Sequence, residues 1–286
     1  MIALIDIGNS RVKLGWLEAA SGAREPAPLA LDGEDLATGI EHWLAQLPAL
    51  PRRALGVSVA TAARTHQIEA AFAAHGCPVT WHQASDRALG LTNGYRTPAQ
   101  LGADRWVALL GLLTHLPPHH GPVMLASFGT ATTIDTLTAE RHFVGGLILP
   151  GPAMMLAALA SRTAALPQLD AEASADMLTH TVTWPATTRQ AMASGVAAAQ
   201  AGAVLRQWSL GLQHYACAPA VTATGGGWPL VADEVRRVLG EAARLHGVST
   251  PVIREQGHLV LDGLAALVMQ APGDATTGYA TTYRQA

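Results

Sequence analysis

The run MIALIDIGNSRVKLGW, Met1–Trp16, decides how the rest of the chain is read. Met1–Ile5 is a short aliphatic run, Asp6-Ile7-Gly8-Asn9-Ser10 is a polar turn, and Val12–Trp16 resumes alternation. Two apolar runs joined by a Gly/Asn turn make a β-hairpin. Backbone N–H groups of Gly8, Asn9 and Ser10 can converge on such a turn. Fixed N–H dipoles of that kind attract phosphate oxygens without any side chain. Lys13, the only lysine among the 18 lysines and arginines of the chain, follows directly. An ordinary hairpin with an exposed lysine has the same local pattern, so the choice rests on what lies downstream.

With 286 residues, two domains of comparable size are expected. Apolar residues make up 49% and charged ones only 14%, enough to bury a sizeable core. A net charge of −3, with no basic run longer than Arg52-Arg53 or Arg236-Arg237, argues against a nucleic-acid partner. Cys77 and Cys217 lie far apart and outside any C-x-x-C spacing, which fits a reducing cytoplasm and gives neither a disulfide nor a zinc framework. Asp6 interrupts the first apolar run, so the layout of a signal peptide is missing, and no segment has the apolar length of a membrane span. A cytoplasmic protein is expected.

Beyond the hairpin, Glu18–Asp32 reads as a polar turn and Leu36–Leu47 as a helix. Ala54–Ala60 reads as a buried strand, Thr61–His75 as a helix capped by Thr61 and stopped by Gly76, and Pro78–Trp81 as a strand. This order predicts a mixed α/β domain. Thr97-Pro98 opens a helical turn, Gly102 breaks it, and Ala103–Leu116 resumes as an amphipathic helix. Asp104 and Arg105 therefore fall on the first turn of a long helix, where the helix dipole favours a carboxylate. His115, His119 and His120 gather around a proline-rich linker, without the spacing of a metal motif.

The opening pattern then returns. Val123–Ala126 is a strand, Ser127–Thr133 a small polar turn, Ile134–Leu137 a second strand and His142–Leu149 a third. Gly129 lies about 120 residues after Gly8, so each half carries one strand, glycine turn and strand, a sign of duplicated domains. Pro152–Ala160 reads as a helix, Ser161–Ala186 as mostly loop with one short helix, and Thr188–Leu210 as a long helix. Ala218–Thr224 is a strand running into Gly225-Gly226-Gly227, followed by helices at Val231–Leu239 and Leu259–Met269. The divisions expected are 1–117 and 118–286, with a loosely held tail from about 271.

Neither G-x-x-x-x-G-K-[ST] nor a strand-to-helix G-x-G-x-x-G is present, so any phosphates must bind on hairpin turns. The paired-hairpin layout resembles the actin/sugar-kinase/Hsp70 ATPase superfamily. Within it, the chain resembles type III pantothenate kinase. The matching pieces are Asp6-Ile7-Gly8-Asn9-Ser10 with Lys13, Tyr95-Arg96-x-Pro98, Gly102-Ala103-Asp104-Arg105 and Gly129-Thr130-Ala131-Thr132-Thr133. Gly145-Gly146 with Pro150-Gly151 and Thr224-Gly225-Gly226 complete the set, in the family's order. Each is weak alone; together they are specific.

The resemblance implies an α/β fold of two duplicated actin-like ATPase (ribonuclease H-like) domains, each a mixed five-stranded sheet flanked by helices, with an interdomain cleft. It implies ATP phosphate contacts from Asp6, Ile7, Gly8, Asn9, Ser10, Arg11, Val12 and Lys13, and from Gly129 and Thr130, with Asp6 also holding Mg²⁺. Pantothenate contacts would come from Tyr95, Gly102, Ala103, Asp104 and Arg105, with Asp104 as the catalytic base. Thr188 would reach substrate from the partner subunit of a homodimer. One departure stands out: where the family has an acidic residue binding K⁺ or NH₄⁺, this chain has Ser127, a weaker neutral ligand. The activity implied is ATP-dependent phosphorylation of pantothenate to 4'-phosphopantothenate, the first step of coenzyme A biosynthesis. A sibling kinase or phosphohydrolase would share both hairpins but need not have Tyr95-x-x-Pro98 and the Gly102–Arg105 motif. A kinase-like regulator of gene expression would need neither Asp6 nor Asp104.

Overall fold

The computed structural model describes residues 1–33, 35–163, 166–169, 175–179, 183–215 and 217–270. The chain divides into two compact units: Met1–Leu116 with the chain from His258 onward, and Pro117–Gly257.

In the first unit the strands are β1 (Ile2–Ile7), β2 (Arg11–Leu17), β3 (Leu29–Asp32), β4 (Ala54–Ser58) and β5 (Val79–Trp81). Their spatial order is β3-β2-β1-β4-β5, antiparallel on the hairpin side of β1 and parallel beyond it. β1 is central and buried along its whole length, which is why its sequence is almost continuously aliphatic. The helices α1 (Leu36–Gln46) and α2 (Ala62–Ala73) follow β3 and β4. Thr61 Oγ1 accepts the amide of Arg64 and caps α2, and Gly76 sits at φ +70° just beyond its end, both as the sequence suggests. The core joins Ile5, Ile7, Val12 and Leu14 of the sheet to Ile40, Trp43 and Phe72 of the helices. A short hairpin, β6 (Arg87–Ala88) and β7 (Leu91–Asn93), and a 3₁₀ turn at Pro98–Gln100 lead into α3 (Ala103–His115).

The second unit repeats the plan. Its strands β8 (Val123–Phe128), β9 (Ala131–Leu137), β10 (His142–Pro150), β11 (Ala220–Thr224) and β12 (Ile253–Glu255) run β12-β11-β8-β9-β10. β8 pairs antiparallel with β9 and parallel with β11, as β1 does with β2 and β4. The helices are α4 (Pro152–Arg162), α5 (Ala175–Thr179), α6 (Thr188–Tyr215) and α7 (Trp228–Leu245). Phe128, Trp208, Trp228 and Val231 anchor the core. Two mixed sheets with one shared strand order show the duplicated α/β plan expected from the repeated hairpins.

The structure departs from the sequence reading in places. Leu29–Asp32 is a strand rather than part of a turn, held by pairing with Arg11–Leu14. The second glycine turn is tighter than expected, because Ser127 and Phe128 pair with Thr133 and Thr132 and leave only Gly129 and Thr130 at the tip. Threonines, being β-branched, extend a strand that a polarity count ends early. The final helix α8 (Leu259–Met269) belongs to the first unit, not to the C-terminal half expected to span 118–286. Two glycines explain this. A Cβ at Gly111 of α3 would lie 1.9 Å from the Leu259 carbonyl oxygen, and one at Gly263 of α8 would lie 2.0 Å from that of Val107. The helices therefore touch backbone to backbone, and Asp262 adds an ion pair to Arg24 at 2.5 Å and a hydrogen bond to His115 at 2.8 Å. The expected loose tail from 271 lies outside the described residues.

Candidate active site

β1 delivers Asp6 near its end, and the hairpin register sets Lys13 directly opposite. Lys13 Nζ is 3.6 Å from Asp6 Oδ2. Asp6 is only 8% exposed, and burial raises its carboxyl to about 6. Lys13 pulls it down, while the negative charge of Asp104 pushes it up. Two aspartates far apart in sequence thus repel one another within one unit. At the turn, Gly8 N–H donates to Arg11 O at 2.9 Å and leaves Asn9 and Ser10 exposed at the tip. The side chains of Ile7 and Val12 are wholly buried in the core, so they offer a ligand backbone only. Arg11 is turned toward β3, where Nε and Nη2 grip Asp32 at 2.7 and 2.9 Å.

Gly102 caps α3, whose first turn presents Ala103, Asp104 and Arg105. Asp104 Oδ1 accepts the amide of Arg105 at 2.8 Å. Burial lifts the Asp104 carboxyl above its ordinary range, and the hydrogen bond and charge of Arg105 oppose that rise. A carboxylate kept partly dry is a stronger base near neutral pH than a solvated one. Arg105 is itself buried, donating from Nη1 to the Tyr95 hydroxyl at 3.0 Å and lying 5.9 Å from that ring's centre. The structure therefore brings Asp6 with Lys13, and Asp104 with Arg105 and Tyr95, into one unit.

In the second unit Gly129 N–H donates to Ala131 O at 3.0 Å, and Gly129 and Thr130 stand exposed at the tip. Two further glycines close on this tip. Gly151 N–H donates to Thr130 O at 2.9 Å, and a Cβ there would lie 2.1 Å from Gly129 O. Gly225 sits at φ +97° with its Cβ position 2.3 Å from Phe128 O. Three motif pieces scattered along the sequence are thus packed around one turn. Gly151 and Gly225 lie in the motif pieces but outside the expected contact residues, and what marks both is close backbone approach to this turn. Ser127 is half-buried on β8, in register with Thr133 of β9 and Thr224 of β11. Thr188 opens α6 and is exposed; its neighbours Thr187 and Gln190 cap that helix.

Among the described residues no three His, Cys, Asp or Glu side chains form a metal cage. His115 is engaged by Asp262. The single carboxylate of Asp6, held in a dry site beside a phosphate-type turn, suits Mg²⁺, which keeps much of its coordination on water and phosphate oxygens. Around Ser127 the register partners Thr133 and Thr224 supply hydroxyls, and the buried Asp135 follows two residues along β9.

Comparisons with known proteins give the family. The sequence model for type III pantothenate kinase matches residues 2–210. A type III pantothenate kinase of Bordetella pertussis is 51% identical over 272 residues, covering 94% of this chain and 98% of its own. One from an Azoarcus species is 38% identical over 285 residues, covering 99% and 97%. Among solved structures, component A of the (R)-2-hydroxyglutaryl-CoA dehydratase of Acidaminococcus fermentans superposes with a TM-score of 0.52 at 11% identity, over 94% of this chain and 97% of that one. That likeness speaks to the fold alone. On the family model and on relatives up to about half identical over nearly the whole chain, the chain belongs to the type III pantothenate kinase family.

Proposed function

We infer that the protein transfers the γ-phosphoryl group of ATP to the terminal hydroxyl of pantothenate, giving 4'-phosphopantothenate and opening coenzyme A synthesis. The observation that carries this is the grouping of Asp104, Arg105 and Tyr95 beside an Asp6–Lys13 hairpin pair. In the reaction a bond forms between the pantothenate hydroxyl oxygen and the γ-phosphorus. The bond from that phosphorus to the β,γ-bridging oxygen breaks, and Asp104 takes the hydroxyl proton. Phosphoryl transfer passes through a loose transition state, so placement and charge neutralisation matter more than a strong base. Lys13 and the exposed tip residues Asn9 and Ser10 would serve phosphate oxygens, since the Gly8 amide is already bonded to Arg11 O; Gly129 and Thr130 form the equivalent tip of the second hairpin. Arg105 offers a planar fork to the pantothenate carboxylate, and Tyr95 holds that fork in place. Asp6 would hold Mg²⁺, which when bound spreads the negative charge of the phosphates.

A homodimer, with Thr188 reaching the partner's substrate, and a cytoplasmic location complete the reading. The hydroxyl set around Ser127 points to a weak K⁺ requirement. The deciding experiment is ADP release from ATP with pantothenate against a panel of sugars, glycerol and acetate. Turnover with pantothenate alone is expected; turnover with a sugar and none with pantothenate would overturn the assignment.

A further inference from the structure

The segment between β7 and α3 carries Tyr95 but has little regular structure of its own. One side chain ties its parts together. Asn93, the last residue of β7, accepts the Tyr95 amide on Oδ1 at 3.1 Å. Its Nδ2 donates to two carbonyl oxygens, Ser85 O at 3.2 Å and Pro98 O at 3.3 Å. The Asn93 amide N–H is spent on Asp86 O at 2.9 Å. The carboxamide thus ties the start of the β6–β7 hairpin, the residue two positions on and the head of the 3₁₀ turn into one knot. The first of these bonds is an Asx turn, which asparagine forms readily because its side chain mimics a backbone peptide. From Pro98 the turn runs through the bond from Leu101 N to Pro98 O straight into Gly102 and α3. Tyr95 is therefore fixed from one side by Asn93 and meets Arg105 of α3 on the other.

We propose that Asn93 is a positioning residue for substrate binding: it holds the 94–98 loop so that the Tyr95 hydroxyl accepts from Arg105 and keeps the guanidinium aimed at the substrate's carboxylate. This rests on the reading of Tyr95 and Arg105 as the pantothenate site. Asn93 touches neither substrate nor the transferred group, so its loss acts on pantothenate binding and leaves ATP handling alone.

Steady-state kinetics on the full chain test it, with Asn93→Ala, Tyr95→Phe and the double variant. Losing two or three hydrogen bonds from the loop is expected to raise the pantothenate KM about tenfold, with kcat and the ATP KM held within about twofold. The double variant is expected to be no worse than the worse single one, because Asn93 acts through Tyr95. Asn93→Ser keeps an acceptor for the Tyr95 amide and loses the paired donations. It is expected to fall between wild type and Asn93→Ala, and it carries the test should the alanine variant not fold. An unchanged pantothenate KM, an equal rise in the ATP KM, or effects that multiply in the double variant would each overturn the proposal. A crystal structure of the Asn93 variant gives a readout independent of turnover. An intact Tyr95–Arg105 bond there overturns the proposal; a displaced Tyr95 supports it, whatever substrate the wild type accepts.

Discussion

Replacing Asp6 by asparagine should make the protein more stable and less active. In the native chain burial holds the Asp6 carboxyl at about 6, against an ordinary 3.8. The folded state therefore binds this proton more tightly than the unfolded chain does. The stabilisation from that proton is fully present below about pH 4 and is lost as pH rises through 6. The gap of roughly two pKa units, at about 1.4 kcal/mol each, means that keeping Asp6 ionised costs the fold about 3 kcal/mol at pH 8. Lys13's attraction is already inside that figure, since it is one of the influences on the carboxyl. Asparagine cannot ionise, but its amide must be buried too, at a cost of about 1 kcal/mol. A net gain of about 2 kcal/mol at pH 8 follows. Urea unfolding at pH 8, 6 and 4, followed by circular dichroism, measures it. The gain should shrink between pH 6 and pH 4, where the native carboxyl takes up its proton, and phosphoryl transfer should be lost throughout. A variant less stable than the native chain at pH 8, or a gain that persists unchanged at pH 4, would refute the reasoning.

Further outcomes can be checked on the same protein. Asp104→Asn should lower kcat by about 10²–10⁴-fold with the fold intact, the usual contribution of a general base; near-normal turnover in the purified variant would remove Asp104 from the mechanism. Gly263→Ala drives a methyl group toward the Val107 carbonyl oxygen, only 2.0 Å from its Cβ position. Melting temperature should fall by several degrees, consistent with about 2–3 kcal/mol of overpacking, and an unchanged melting curve would mean that α8 does not pack on α3 as described. Replacing K⁺ by Na⁺ or Tris should change the rate by less than about threefold, since Ser127 offers a neutral ligand in place of a carboxylate; a steep loss would contradict this.

Much of the fold was legible in the chain because it depends on neighbours in sequence. A glycine turn between two apolar runs closes a hairpin whatever surrounds it, and both hairpins formed where their residues indicated. Thr61 and Gly76 bound α2 for equally local reasons. Asp104 and Arg105 fall on the first turn of α3 because Gly102 precedes them. The short strands β6, β7 and β12 were not legible. With two or three residues each, they carry no alternation to read and exist only because a partner strand lies alongside.

Sequence by itself therefore gave the family, both hairpins and the residues proposed here for the chemistry. Tertiary structure alone decided how dry Asp6 and Asp104 are, and that the charge of Asp104 reaches Asp6. It alone brought Gly151 and Gly225 against the Gly129 turn, fastened α8 to α3, and knotted the Tyr95 loop through Asn93. The division has one physical cause. Turn and cap preferences arise from bonds between residues a few positions apart, whereas desolvation and close backbone approach are set by everything that folds around a group.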